Sequence, residues 1–225
     1  MTTLPTWMLE QPAADLSLQT EDAFRSALAA RSPEALPRAV PRWLFLDWLS
    51  RQGWLLHGSD RGDVTLFEPR VAHDLSPDEF SKRASVFAAS DGLWAMMYAL
   101  RDRRAVTRML NMAVQVHEGG RWSATRYFLS FAPRDAQVAS GGSLLTNGFV
   151  YVLPRGGFEQ MPPYTWPGLG EVREPHWSSP QAVRPILRVA VSPDDFPLPV
   201  RLHHAARIDS LAQADPWGFP WLENQ

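Results

Sequence analysis

The chain has 225 residues, no cysteine, and a formal charge of -2 from 22 basic and 24 acidic side chains. That length suits one domain with extensions, and an apolar share of 45%, with 10 Trp and 11 Phe, is enough for a sizeable core. The lack of cysteine excludes disulfides, thiolate metal sites and a cysteine nucleophile, and without a long basic run nucleic-acid binding driven by charge alone is disfavoured, though a local basic cleft stays open.

Residues 1–20 are mixed and contain proline, which reads as a loose arm. Met1 to Glu10 has no basic region followed by a long apolar stretch, so no signal peptide is expected. No apolar run approaches the roughly 18 residues of a membrane span, and the expected setting is the cytoplasm. "EDAFRSALAA" (21–30) has helix-forming composition, with Thr20 as the expected N-cap. Three prolines make residues 32–41 a connector. "PRWLFLDWLSRQG" then opens on Pro41 and closes on Gly53, with Leu44, Trp48 and Leu49 on one face of a short amphipathic helix. "WLLH" follows as a buried strand, and 58–83 reads as a charged loop. "ASVFAAS" (84–90) reads as a strand. Ser90 or Asp91 caps the next helix, "DGLWAMMYALRDR". There Leu93, Met96, Met97 and Leu100 form a buried face, with Trp94 and Tyr98 as a second stripe. "RYFLSF" (126–131) and "FVYVLP" (149–154) read as strands, separated by the turn region "SGGSLLTNG". Residues 155–181 read as a long ordered loop, and 182–191 as a further strand. The last thirty residues hold one short helix and a Trp/Pro-rich tail.

The organisation expected is an arm and helix at 1–40, one domain at 41–205, and a tail at 206–225. The order of helices and strands points to α+β with mostly antiparallel sheets, flanking helices and long loops. There is no GxGxxG or GxxxxGK[ST] phosphate loop and no GxSxG nucleophile elbow. His203 and His204 are adjacent, so on a strand they point to opposite faces. His73, His117 and His176 have no ligand-like spacing to an acidic partner, so no zinc site is expected.

Three stretches carry candidate chemistry. In "LLHGS", His57 stands at a strand end beside Gly58 and Ser59. Either it hydrogen-bonds a ligand, with Gly58 admitting the ligand and Ser59 adding a hydroxyl, or it is a satisfied edge histidine. In "VFAASDGLWAMMYAL", a strand feeds a capped helix whose first N–H groups can receive a ligand; Ser90 and Asp91 can equally be a cap and nothing more. In "GFVYVLPRGGFEQMP", two glycines lead to Glu159, whose carboxylate can stabilise positive charge or stay an exposed loop side chain.

Taken in order, these three stretches resemble the three motifs of ADP-ribosyltransferase-fold proteins, rifampin ADP-ribosyltransferases in particular. RNA 2′-phosphotransferases are similar in fold and in the His-Gly start. "WSSPQAVRPILRVAV" looks like the late Ser/Arg-bearing strand of the group. The wider pattern "HGS…FEPR…ASDGLWAMMYA…VYVLPR…FE" is similar to bacterial proteins, a likeness that carries no activity.

The resemblance implies NAD as a substrate, with ADP-ribose passed to an acceptor that is a small molecule, a protein or a nucleic acid, and no membrane partner. It implies that His57 contacts the adenosine ribose. Gly58 and Ser59 would lie against the nicotinamide amide, an aromatic near the second motif would stack on nicotinamide, Ser90 would lie at the cofactor, and Glu159 would be the third-motif acid. The family usually has tyrosine at the second motif. This chain has Val86-Phe87, with Tyr98 on the following helix as the alternative. Three readings follow: an active transferase, a catalytically degenerate nucleotide- or partner-binding module of the same fold, and phosphate transfer from RNA to NAD, for which Arg61, Arg70 and Arg83 would supply the basic residues.

Overall fold

The structure is a computed structural model that describes residues 4–71, 76 and 78–221, which leaves His73 outside the described residues. In chain order, β1 (Leu9–Glu10) is followed by α1 (Leu18–Ala29), α2 (Arg42–Arg51), β2 (Leu55–Ser59), β3 (Arg70–Val71), β4 (Ala84–Ala89) and α3 (Gly92–Ala99). Then come β5 (Val106–Glu118), β6 (Arg121–Trp122), β7 (Arg126–Pro133), β8 (Gly148–Leu153), β9 (Glu159–Gln160) and β10 (Tyr164–Trp166). The chain continues with β11 (Gly170–Arg173), β12 (His176–Ser179), β13 (Leu187–Val191), β14 (Arg201–Leu202) and α4 (Ala205–Ala214). The fold is α+β, as expected from the sequence.

Two sheets carry it. One runs β1-β7-β5-β11-β10, with β14 beside β7 and β6 beside β5. The other runs β13-β8-β2-β4-β12-β9, with β3 beside β4. Among the described residues every strand pair is antiparallel except β14 with β7. The main core lies between the sheets, around α2 and α3. It joins Phe24, Phe45 and Leu93 to Tyr127, Leu129 and Phe131 of β7 and to Val150, Val152 and Val189 of β8 and β13. Seven of the eight residues of α3 are buried, all but Tyr98. A helix apolar on every side belongs inside a fold.

A second core covers the other face of β5 and β7. Here Leu110, Met112, Val114 and Phe128 meet Met8, Ile208 and Trp221. Trp7 lies 5.6 Å from Phe128 and 6.0 Å from Phe219, edge to face. Residues 4–40 and 206–221, in the stretches expected as an arm with a helix and as a tail, therefore contribute a strand, helices and buried side chains to the body.

Several local expectations differ from the structure. Ser17, not Thr20, caps α1, accepting from the Thr20 N–H at 3.2 Å. Strand β2 runs two residues beyond His57. Residues 155–181 hold four short strands, each only two to four residues long between Pro and Gly punctuation. The strand expected at 182–191 begins only at Leu187, because Pro185 cannot donate to a ladder. Val183 instead makes an isolated bridge to Phe67. Among the described residues, no helix is long and apolar enough to cross a membrane.

Candidate functional site

Strand β2 alternates. Leu56 faces the main core, while Leu55 belongs to a smaller cluster on the opposite face, with Val86, Ala88, Tyr151 and Trp177. His57 shares the smaller cluster's side. It stands opposite Tyr151 in the ladder with β8, and its ring lies 4.4 Å from Phe67. Pairing with β8 runs the length of β2, but pairing with β4 is confined to Leu56 opposite Ala89. Past that pair the imidazole reaches across, with Nδ1 2.6 Å from the Phe87 carbonyl oxygen. A carbonyl only accepts, so Nδ1 carries the proton and Nε2 is the ring's acceptor. Burial pushes the His57 pKa down; the Phe87 carbonyl opposes this and the Arg103 charge adds to it. The ring is neutral at neutral pH.

The space that the sequence reading reserved for a ligand beside Gly58 is filled by α3. A Cβ at Gly58 would stand 1.9 Å from the Ala95 carbonyl oxygen and 2.8 Å from the Ala99 nitrogen. Glycine is needed there for a helix to approach, not a nucleotide. Ser59 is buried, and its hydroxyl accepts from the Arg61 N–H at 3.1 Å, which starts the turn after the strand. That turn is held by Tyr151, whose hydroxyl donates to the Arg61 carbonyl at 2.9 Å and accepts from the Val64 N–H at 3.1 Å. Tyr151→Phe strands both backbone groups and is expected to cost about 1–3 kcal/mol, read as a lowered urea midpoint.

Phe87 and Glu159 come together on the other face. Residues paired across antiparallel strands point the same way. Phe87 pairs with Ser178, and Ser178 with Glu159, so the three form a row across β4, β12 and β9. The Phe87 ring lies 5.1 Å from His176, His176 lies 5.3 Å from Trp94, and Trp94 lies 6.4 Å from Tyr98. Phe80 closes the far end, 6.4 Å from Phe87. The Trp94 indole N–H donates to Asn111 on β5 at 2.5 Å. Arg83 lies over Phe80 at 4.7 Å and pairs with Glu159 at 2.9 Å. Phe87 and His176 are half-buried, and Tyr98 is 38% exposed. The result is a partly open aromatic strip ending in a carboxylate and a guanidinium.

Of the residues singled out in the sequence, Phe87, Tyr98 and Glu159 thus share one strip. His57 meets it only through the Phe87 main chain. Asp91, not Ser90, caps α3, accepting from the Trp94 N–H at 2.9 Å and from the Tyr127 hydroxyl at 2.7 Å. The Ser90 hydroxyl accepts from the Trp177 indole N–H at 3.0 Å. Local sequence does not mark His176 as part of the strip, because its ring partners Phe80, Phe87 and Trp94 come from distant segments. Trp94, on the second stripe of α3, is buried and also contacts the strip through His176.

A separate cavity of about 270 Å³ opens where the two sheets part, between the end of α2, β5, β11 and β12. Ser90, Gln115, Arg155, Gln160, Arg173 and Trp177 are in its wall. Among the described residues no His, Asp and Glu side chains gather into a group that could hold a metal ion. Neither a family model, nor a curated protein, nor a solved structure matches this chain.

Proposed function

We propose that the protein is an ADP-ribosyltransferase-like enzyme that uses NAD as a substrate, with the aromatic strip as its nicotinamide site. The observation that carries this reading is the row Phe87–Ser178–Glu159, which sets a half-open aromatic ring and a carboxylate on the same side of one sheet. Two strand spacings of about 4.8 Å separate them, a span suited to a flat ring with a ribose attached.

Nicotinamide would lie on Phe87, with Tyr98 and Trp94 extending the apolar wall. The C–N glycosidic bond breaks, nicotinamide leaves with the bonding pair, and the ribose carbon takes on oxocarbenium character. Glu159 faces that positive charge, and a carboxylate aimed at developing charge lowers the barrier. The acceptor's nucleophilic atom then bonds to the ribose carbon and gives up its proton to solvent. His57 is a positioning residue here: by holding the Phe87 carbonyl it fixes where β4 leaves β2, and so where the Phe87 ring sits. The protein supplies placement and electrostatics, and the reactive bond belongs to NAD.

The test is nicotinamide release together with calorimetric NAD binding. Glu159→Gln is expected to slow release by about 100-fold with NAD affinity nearly kept. Phe87→Ala is expected to weaken NAD binding itself. A folded protein that binds no NAD at millimolar concentration overturns the proposal. One observation favours a second reading, that of a catalytically degenerate nucleotide-binding module: Arg83 engages the Glu159 carboxylate. Binding of NAD with no nicotinamide release, in wild type and in Arg83→Ala alike, is the outcome that selects it.

A further inference from the structure

We propose that the cavity between the two sheets is a binding site for a small phosphate group, distinct from the aromatic strip. Its wall has an arginine from each sheet. Arg173 ends β11, and Arg155 follows β8 on the loop to β9. Each guanidinium lies over a tryptophan ring. Arg155 lies 4.2 Å from the Trp177 ring centre, and Arg173 lies 4.5 Å from that of Trp122. The Arg173 Nε donates to the Gln115 side-chain oxygen at 2.7 Å, and the Gln115 amide in turn donates to the Ser123 carbonyl at 3.0 Å. One arginine is thus oriented from behind, with its terminal nitrogens still to satisfy.

Among the described residues neither guanidinium makes an ion pair. The one carboxylate in the cavity wall, Glu174, accepts from the Tyr164 hydroxyl at 2.6 Å. The Ser90 hydroxyl accepts a hydrogen bond from the Trp177 indole N–H and so has its own proton to give. Two unpaired planar cations, a hydroxyl donor and the Gln160 amide make a lining for an oxyanion. The guanidinium fork fits phosphate by paired hydrogen bonds.

Size narrows the ligand. At about 270 Å³ the cavity lies just below the usual range of pockets for drug-sized ligands. It has room for phosphate, pyrophosphate or the phosphate end of a monoester, and not for a whole dinucleotide. Position gives the site a consequence. Gln160 and Trp177 pair on one face of β9 and β12, while Glu159 and Ser178 pair on the other. A phosphate in the cavity would therefore tie the two sheets together directly behind the aromatic strip.

Calorimetry and thermal melts of the full chain, with inorganic phosphate and with adenosine monophosphate at constant ionic strength, test this. Saturable binding that raises the melting temperature is expected, and Arg155→Ala is expected to weaken it by about tenfold or more, the loss of one charge-assisted contact. Arg155 is exposed, so this variant does not threaten the fold. Arg173→Lys keeps the charge but not the fork, and is also expected to weaken binding. Tighter binding of the nucleotide than of inorganic phosphate identifies a monoester as the ligand; the reverse identifies the free ion. No saturable response to either, or a response unchanged in both variants, overturns the proposal. Failure of NAD binding at the strip leaves this outcome untouched, because the two sites share no side chain.

Discussion

Gly58→Ala is expected to destabilise the protein by about 3 kcal/mol, at the upper end of the cost of overpacking a core. The added methyl carbon meets the Ala95 carbonyl oxygen at 1.9 Å, and that oxygen is part of the α3 backbone. A side chain could rotate away; a helix can yield only by shifting as a unit. Shifting it would disturb Leu93, Met96 and Met97, all at most 1% exposed in the main core. Gly148 on β8 is in the same position, with a Cβ 2.0 Å from the Ala99 carbonyl oxygen, and Gly148→Ala is expected to behave alike. The control is Gly156→Ala. No atom lies within 4 Å of a Cβ there, so the change is expected to stay within about 0.5 kcal/mol of wild type. Urea midpoints for the three variants decide it: if Gly58→Ala and Gly156→Ala unfold together, α3 does not rest on β2 as described.

The second large effect is a pH dependence centred on Asp91. Its carboxyl caps α3 and sits beneath the main core, and its pKa is raised from the ordinary 3.8 to about 6. Burial is the leading cause. The Trp94 N–H and Tyr127 hydroxyl oppose it, and the neighbouring Asp47 charge adds to it. Between the two values the folded chain holds a proton that the unfolded chain has lost. Stability contributed by this group is therefore greatest below about pH 4, falls as pH rises to about 6, and is level beyond that. At about 1.4 kcal/mol per unit, the change amounts to about 3 kcal/mol. Asp91→Asn keeps an oxygen for the Trp94 N–H and removes the titration. Wild type is thus expected to gain on this variant by about 2 kcal/mol between pH 7 and pH 4. A stability difference that is the same at both pH values would mean that the carboxyl is not desolvated.

Where chemistry is local, the sequence was informative. Pro41 and Gly53 bracket α2, and the alternation in "RYFLSF" and "FVYVLP" marks β7 and β8. Strand β5, at 13 residues the longest element described, is not legible from the sequence pattern. One of its faces, Leu110-Met112-Val114-Val116, is buried under the terminal segments, but the intervening Met109, Asn111, Ala113 and Gln115 are not the alternating polar set of a solvated strand. Asn111 and Gln115 are there to hold Trp94 and Arg173, a demand from tertiary structure that blurs the period. The site shows the same division. Small residues next to His57 look alike whether they admit a ligand or a helix, and only the placement of α3 distinguishes the two. Phe87 and Glu159 lie in separate stretches of sequence, and their alignment depends on β12 lying between them. The strands in 155–181 are too short for periodicity to reveal.

The meeting of Trp7 with Phe219 bears on how the chain is made. Synthesis is vectorial, so β5 and β7 leave the ribosome well before α4 and the last tryptophans exist. Through that interval Leu110, Met112, Val114 and Phe128 lack the part of their cover that Ile208 and Trp221 supply, and have only Trp7, Met8 and later Trp166, Leu169 and Val172 against them. Nascent or stalled chains of this protein thus carry a half-covered apolar face of the kind that chaperones bind, and Ile208, Phe219 and Trp221 complete its closure.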